Sequence, residues 1–408
     1  MSQNKFLFLL FSKSIFVFYL YSFLIEGIFR IGFFESILTL SVVVFSIFYI
    51  IFILKVYIVK KYVLFSFFLF FVLINCVLIN ALLLNYDYFY IPSFIYELYK
   101  IGTVFFILPM YFLFRYNNVD FIIRSLNIFM VINAFVLIAQ YLFGVDIINN
   151  LGISYDLSHY AERNRPTGLT HNANVIGVLS LFVYLFSRID CVRLNNGSRY
   201  LGFISIFVLV LSSSKASLMC FVLYFLLSRL SFRNVISIIV FVIIVTISII
   251  KFNLYGITDK LSNYAIFIDA LMEGDLIKPG SVEGRLWGWY LATILFSHSY
   301  LGYGLGTWGD FSSRINPYVD SMNYYEPYSD SALSHYIVEQ GFFVVIYLLS
   351  IYFFIPKNKE RWKLFLIFML LLITNYGFSQ SLFCFGFWLL ICGYKYSEDS
   401  IRYNGGFQ

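Results

Sequence analysis

Long apolar runs separated by short polar turns, many of them basic, recur from one end of this chain to the other, and no other feature constrains its fold as tightly. Hydropathy marks them near residues 10–29, 36–54, 62–84, 94–114, 121–143, 173–187, 200–213, 216–229, 235–251 and 331–355. Most approach the roughly 20 residues that a helix needs to cross the hydrocarbon of a bilayer. The last apolar block, 364–393, is interrupted by Thr374-Asn375-Tyr376-Gly377 and Ser379-Gln380-Ser381. It reads as a helical hairpin turning near Gly377, the alternative being one long kinked helix. The count then reaches about twelve spans. Composition agrees, with 61% of residues apolar and 12% charged, about half the charged share of a soluble domain. A soluble globular enzyme is excluded. The expected fold is all-α, a polytopic integral membrane protein forming a single transmembrane domain over 1–408. The first run continues to Phe29 without a small-residue cleavage site, so it reads as a retained anchor rather than a signal peptide.

The formal net charge of +6 does not point to nucleic acid, because the basic residues sit in alternate turns, where they set orientation. One set of turns holds Lys55, Lys60 and Lys61; Arg115 and Arg124; Arg188, Arg193 and Arg199; Arg229 and Arg233; and Lys357, Lys359, Arg361 and Lys363. In the short turns of the other set stand only Arg30 and Lys215. The contrast fits an even number of spans with both termini in the cytoplasm, and it puts two long loops, 144–172 and 252–330, on the outer face. His159, His171 and His298 lie in these loops, and His335 follows shortly after. Loops of this length are more often functional than mere connectors. In the second, Leu261, Tyr264, Ala265, Ile268, Leu271 and Met272 recur at helical spacing, which predicts a short interfacial helix. A second helix is expected from Arg285 to about Phe296, before the turn Gly302-Tyr303-Gly304-Leu305-Gly306. The five cysteines show no CxxC or Cys/His spacing, so neither disulfides nor a metal site are expected.

Four motifs carry the chemistry. Arg163-Asn164-Arg165-Pro166-Thr167-Gly168 leads through His171, Asn172 and Asn174 to the mouth of a helix. Two guanidiniums beside amide donors there suit a phosphate or a developing anion; the alternative is a loop against lipid headgroups in which Asn172 or Asn174 caps the next helix. In Glu283-Gly284-Arg285-Leu286-Trp287-Gly288-Trp289, Arg285 and Trp289 stand four apart, a cation beside an aromatic plate that suits a sugar ring. Trp is also common at membrane interfaces, and the glycines that follow read as structural. Ser331, His335 and Glu339 share one helix face after Asp330, which is either an ionisable functional group or an N-cap. Ser212-Ser213-Ser214-Lys215-Ala216-Ser217 makes a tight outer turn whose lysine either attracts phosphate or snorkels to the interface. Glu97 and Lys100, three apart in the fourth run, are expected to neutralise each other.

In this order the motifs resemble those of the bacterial O-antigen polymerases (Wzy type) and O-antigen ligases. The resemblance rests on Arg165 to Gly177, Ser212 to Ala216, Arg285 through Gly306, and Asp330 through Glu339 to Gly341, and it runs from about residue 120 onward. Two departures stand out. Lys215 replaces the family's usual Arg, keeping charge but losing the bidentate fork. Asp330 stands where ligases characteristically carry His, which favours a polymerase. The resemblance implies an inner-membrane glycosyltransferase, similar in fold to the C-type transferases, that joins oligosaccharide units carried on undecaprenyl diphosphate at the periplasmic face. No cofactor, metal or nucleotide sugar is implied. Arg165 and Arg285 would hold the diphosphate, with Arg163 and Lys215 secondary and Asn172, Asn174 and Trp289 alongside. Asp330 would be the base, with His171 and His335 behind it. Partners would be the lipid-linked oligosaccharides, membrane lipid and, as a further candidate, a chain-length regulator. The rivals are a ligase acting on lipid A core and a transporter or lipid flippase. The latter should carry ionisable groups deep in several spans, where this chain has little beyond Glu97 and Lys100.

Overall fold

The computed structural model describes residues 3–29, 37–44, 89–95, 105–153, 165–170, 172–229, 283–308, 316–317, 331–355, 360–374 and 381–404, and no strand occurs among them. The chain starts with α1 (Gln3–Leu20) and α2 (Ser22–Phe29), continues with α3 (Ile107–Arg115), α4 (Val119–Phe143) and the single turn α5 (Ile147–Asn150), and enters its centre with α6 (Ala173–Ser187). A short α7 (Asp190–Arg193) leads to α8 (Ser198–Leu211) and α9 (Lys215–Arg229). The later helices are α10 (Glu283–His298), α11 (Ala332–Gln340), α12 (Val344–Phe354), α13 (Arg361–Thr374) and α14 (Ser381–Asn404).

Several expected boundaries fall within a residue or two of the observed ones, because the same apolar residues that fill a span also fill a helix. α4 places Asp120 in its first turn, where the helix dipole favours a carboxylate. It stops at Gly144, whose φ of 94° no longer continues the helix. In α3 the proline, Pro109, falls in the first turn, where its missing N–H costs nothing. Among the described residues, two helical stretches are long and apolar enough to cross a membrane, Val119–Phe143 and, taken across α11 and α12, Ala332–Phe353, with a third if α1 and α2 are taken as one bent span. The runs 62–84 and 235–251, most of 36–54, Glu97, Lys100 and the expected interfacial helix at 261–272 lie outside the described residues.

Two expected spans are not continuous. The first run bends by 66° between α1 and α2, where the Ser22 hydroxyl donates to the carbonyl of Tyr19 at 3.0 Å and competes with the helical ladder. The span expected at 331–355 breaks at Gly341, which has a φ of 55° and opens a short 3-10 turn before α12. The last apolar block, in contrast, forms the separate helices α13 and α14. The ring of Phe368 in α13 lies 4.5 Å from that of Phe387 in α14, whereas one straight helix would hold them about 28 Å apart. The chain folds back here, as the hairpin reading expected.

All 15 residues of α6 except Asn174 and Tyr184 are buried. A helix apolar all round must be enclosed by others, and α6 packs against α8, α14 and α9, while α4 closes on α8 and α9 on α13. Outward, α4 exposes Ile128, Ile132, Phe135, Ile138 and Leu142, and α8 exposes Phe203, Phe207 and Val210. These exposed apolar stripes run at helical spacing, as a lipid-facing surface would. Packing at the hub is close: the ring of Phe182 meets Phe383 at 5.3 Å and Phe368 at 5.5 Å, and a Cβ on Gly386 would overlap that ring. Gly386→Ala should therefore destabilise the protein by about 1–3 kcal/mol, read as a lower unfolding midpoint in detergent.

Candidate functional site

α6 starts at Asn172, which is extended at φ −141° and ψ 120° and takes the N–H of Asn174 on its side-chain oxygen at 2.8 Å. Asn172, not Asn174, is the cap, so the Asn174 amide is available to other groups. The Arg165 guanidinium donates to Asn174 Oδ1 at 3.0 Å, and the Ser214 hydroxyl approaches the same oxygen at 3.5 Å. Ser214 Oγ also meets Ser217 Oγ at 3.0 Å. Gly177, one turn into α6, leaves this approach open, since a Cβ there would run into Ser214 and lie 3.0 Å from Ser212 Oγ. Two motifs about forty residues apart, the Arg165 segment and the serine turn, thus form one polar corner at the start of α6. The turn is held from α4, where the Tyr141 hydroxyl donates to Leu211 O at 2.9 Å and accepts from Ser213 Oγ at 2.7 Å. Lys215, the first residue of α9, is exposed beside it. A guanidinium, an ammonium and several hydroxyl and amide groups at a helix start make a surface that attracts anions.

Behind Arg165 the chain dips into the protein. Pro166 through Thr170 are buried, and the backbone N–H groups of Thr167, Gly168 and Leu169 are met by two amides of α4. Gln140 Oε1 accepts from Thr167 N and Gly168 N, both at 2.9 Å, and Asn133 Oδ1 accepts from Leu169 N at 2.9 Å. Gly168 is required twice over. Its φ is +64°, and a Cβ would sit 2.6 Å from Asn133 Oδ1.

The other two motifs form a second cluster. Glu339 Oε1 accepts from three consecutive backbone N–H groups, those of Gly306 at 2.7 Å, Thr307 at 3.1 Å and Trp308 at 3.3 Å. Its Oε2 lies 3.0 Å from His335 Nε2, both side chains being almost fully buried. Successive N–H groups around a glycine turn form an anion-binding concavity, and here a carboxylate of the protein fills it. Tyr303 N and Gly304 N add bonds to the carbonyls of Val338 and Glu339, both at 2.9 Å. Residues Leu291, Ala292, Leu295, Trp308 and Val338 close a small apolar core beneath. α11 is capped by Ser331, whose Oγ accepts from Ser334 N at 3.3 Å. α11 packs on α13, which packs on α9, so a short chain of helices links the two clusters.

Of the residues singled out in the sequence, Arg165, Asn172, Asn174 and Lys215 come together at the first corner, and His335 pairs with Glu339 at the second. Trp289 is partly buried against the main core, so part of its ring is committed to packing. Arg285 lies in α10. Its side chain, together with Arg163, His171 and Asp330, lies outside the described residues. Among the described residues no three His, Cys, Asp or Glu side chains group to hold a metal ion, and Cys191, Cys220 and Cys392 are free thiols. Sequence reasoning missed Asn133 and Gln140, and it named Ser217 and Glu339 within motifs without giving either a role. One signal was present: Asn133 and Gln140 stand seven apart on one face of the otherwise apolar stretch 128–143, where a buried amide needs a partner.

No protein-family model matches the chain, and no characterised protein matches it. The second cluster yields a prediction from geometry alone. Glu339→Ala would leave three buried N–H groups without their acceptor and remove the carboxylate beside His335, at a cost of about 3–5 kcal/mol. Glu339→Gln keeps an oxygen at the same place. Fluorescence-detected size exclusion should show little monodisperse protein for the first variant and most of it for the second.

Proposed function

We propose that this protein is an integral-membrane glycosyltransferase of the polysaccharide-polymerase kind, multi-pass with about twelve spans, acting on undecaprenyl-diphosphate-linked oligosaccharide units at the periplasmic face of the inner membrane. The observation that carries this reading is the corner where the Arg165 guanidinium, Asn174 and Ser214 share one oxygen beside the exposed Lys215. It is a site for an anionic group, and a lipid diphosphate is the anionic leaving group of the reaction that the resemblance implies.

In that reaction an acceptor hydroxyl attacks the anomeric carbon of the donor. The bond from that carbon to the diphosphate oxygen breaks, the bonding pair leaves with the diphosphate, and the hydroxyl proton passes to a base. The protein's contribution is to neutralise charge on the departing diphosphate and to align the hydroxyl. Arg165 and Arg285 take the first role, helped by Lys215 and Arg163. Asp330 takes the proton, with His171 as the second choice. His335 stands behind both because its Nε2 is turned to Glu339.

The test uses purified protein, synthetic undecaprenyl-diphosphate oligosaccharides, EDTA and no nucleotide. A ladder of lipid-linked glycans supports a polymerase. Transfer that occurs only when lipid A core is supplied replaces it with a ligase. No transfer, with lipid crossing reconstituted vesicles, replaces it with a transporter. Arg165→Ala and Arg285→Ala should each lower the rate about 100- to 1,000-fold while leaving the protein in the membrane, and normal long chains from either variant would remove that residue from the mechanism.

A further inference from the structure

We infer that Gln140 and Asn133 are positioning residues that fix the Arg165 guanidinium at its anion site, a role that rests on the diphosphate reading above. Three features of the buried loop support it. Every amide group of the two side chains is used: besides the three N–H groups already described, Gln140 Nε2 donates to Thr167 Oγ1 at 3.1 Å and to Val145 O at 3.4 Å, and Asn133 Nδ2 donates to Phe129 O at 2.9 Å. The residues between are locked to one another, since the single proton of the Thr170 hydroxyl is shared between Thr167 O at 2.8 Å and Asn172 O at 2.9 Å. All of this is buried, with Asn133 at 0%, Gln140 at 2% and Thr167 at 0% exposure.

The consequence for Arg165 is geometric. Its Cα stands two residues before Thr167, with the rigid Pro166 between, so the Gln140 bonds to Thr167 and Gly168 determine where the guanidinium can reach. On the far side, Thr170 and the Asn172 cap tie the same loop to α6, which carries Asn174. Arg165 and its partner are therefore held from both ends by one hydrogen-bonded unit whose anchor is α4. A side chain that places a charge in this way changes ligand affinity through that charge, which separates positioning from a general contribution to folding.

The experiment measures binding of inorganic pyrophosphate to the full chain in detergent, well below each variant's unfolding midpoint. Gln140→Met removes both the acceptor and the donor at similar volume, and Thr167→Val removes a single hydroxyl and leaves the backbone bonds in place, so it folds if the first variant does not. Gln140→Met is expected to weaken binding about tenfold and Thr167→Val about threefold. In an Arg165→Ala background neither should change affinity by more than about twofold, because a residue that acts only through Arg165 has nothing left to act on. Wild-type affinity in either folded variant, or equal losses in the two backgrounds, would overturn the role. If Arg165→Ala itself binds pyrophosphate as the unaltered protein does, the anion reading fails first, and the positioning role falls with it.

Discussion

A backbone N–H that leaves a helix among apolar neighbours has no water to turn to, and the structure follows from how three such places are satisfied. Helices meet the constraint internally, which is why apolar runs in this chain become helices. Among the described residues, exceptions include the segment 165–170, the turn at Gly302 to Trp308 and the break at Gly341. Each is buried, and an unmade bond there would cost the full desolvation of the group. At the first two, side chains from a neighbouring helix supply the acceptors. At the third, the chain pairs with itself, Phe342 N donating to Tyr300 O at 2.8 Å. The backbone approaches so closely there that a Cβ on Gly341 would strike that carbonyl.

Both candidate clusters are products of this constraint. The polar corner exists because α6 begins where the buried loop ends, and α6 is fixed by its contacts on nearly every side with α8, α9 and α14. The second cluster exists because α11 presents Glu339 to a turn that would otherwise hold three unpaired N–H groups. Irregular backbone at depth thus coincides with the residues that carry charge and hydroxyl groups.

Much of the helical framework was legible in the sequence, because hydrophobic period and length act locally. The run 173–187 and the helix α6 share both ends, and the run 121–143 falls within α4. The bend at Tyr21 and the break at Gly341 were not legible, since each depends on a hydroxyl or a carbonyl brought in by the fold. For the site, sequence marked the Arg165 segment, the serine turn, the glycine turn and the α11 face as separate motifs. It could not show that they pair, because Arg165 to Asn174 to Ser214 and Glu339 to Gly306 are contacts over 40 and 33 residues. Gln140 and Asn133 went unnoticed for the converse reason. Neutral amides carry no chemistry of their own, and their importance lies wholly in what they accept from.

The two clusters also differ in the acceptor they use, and the difference is chemically consistent. At the glycine turn the acceptor is a carboxylate with an imidazole beside it, so the charge of Glu339 is spent inside the protein on three N–H groups and His335. At the Arg165 loop the acceptors are uncharged. A carboxylate at position 133 or 140 would satisfy the same N–H groups, but it would set a negative charge close behind Arg165 and draw the field of that guanidinium inward. Amides satisfy the backbone and leave the guanidinium its full charge toward whatever approaches from outside. Neutral amides at these fully buried positions also cost less desolvation than carboxylates would, so the same choice that satisfies the loop's N–H groups keeps the interior free of an extra buried charge.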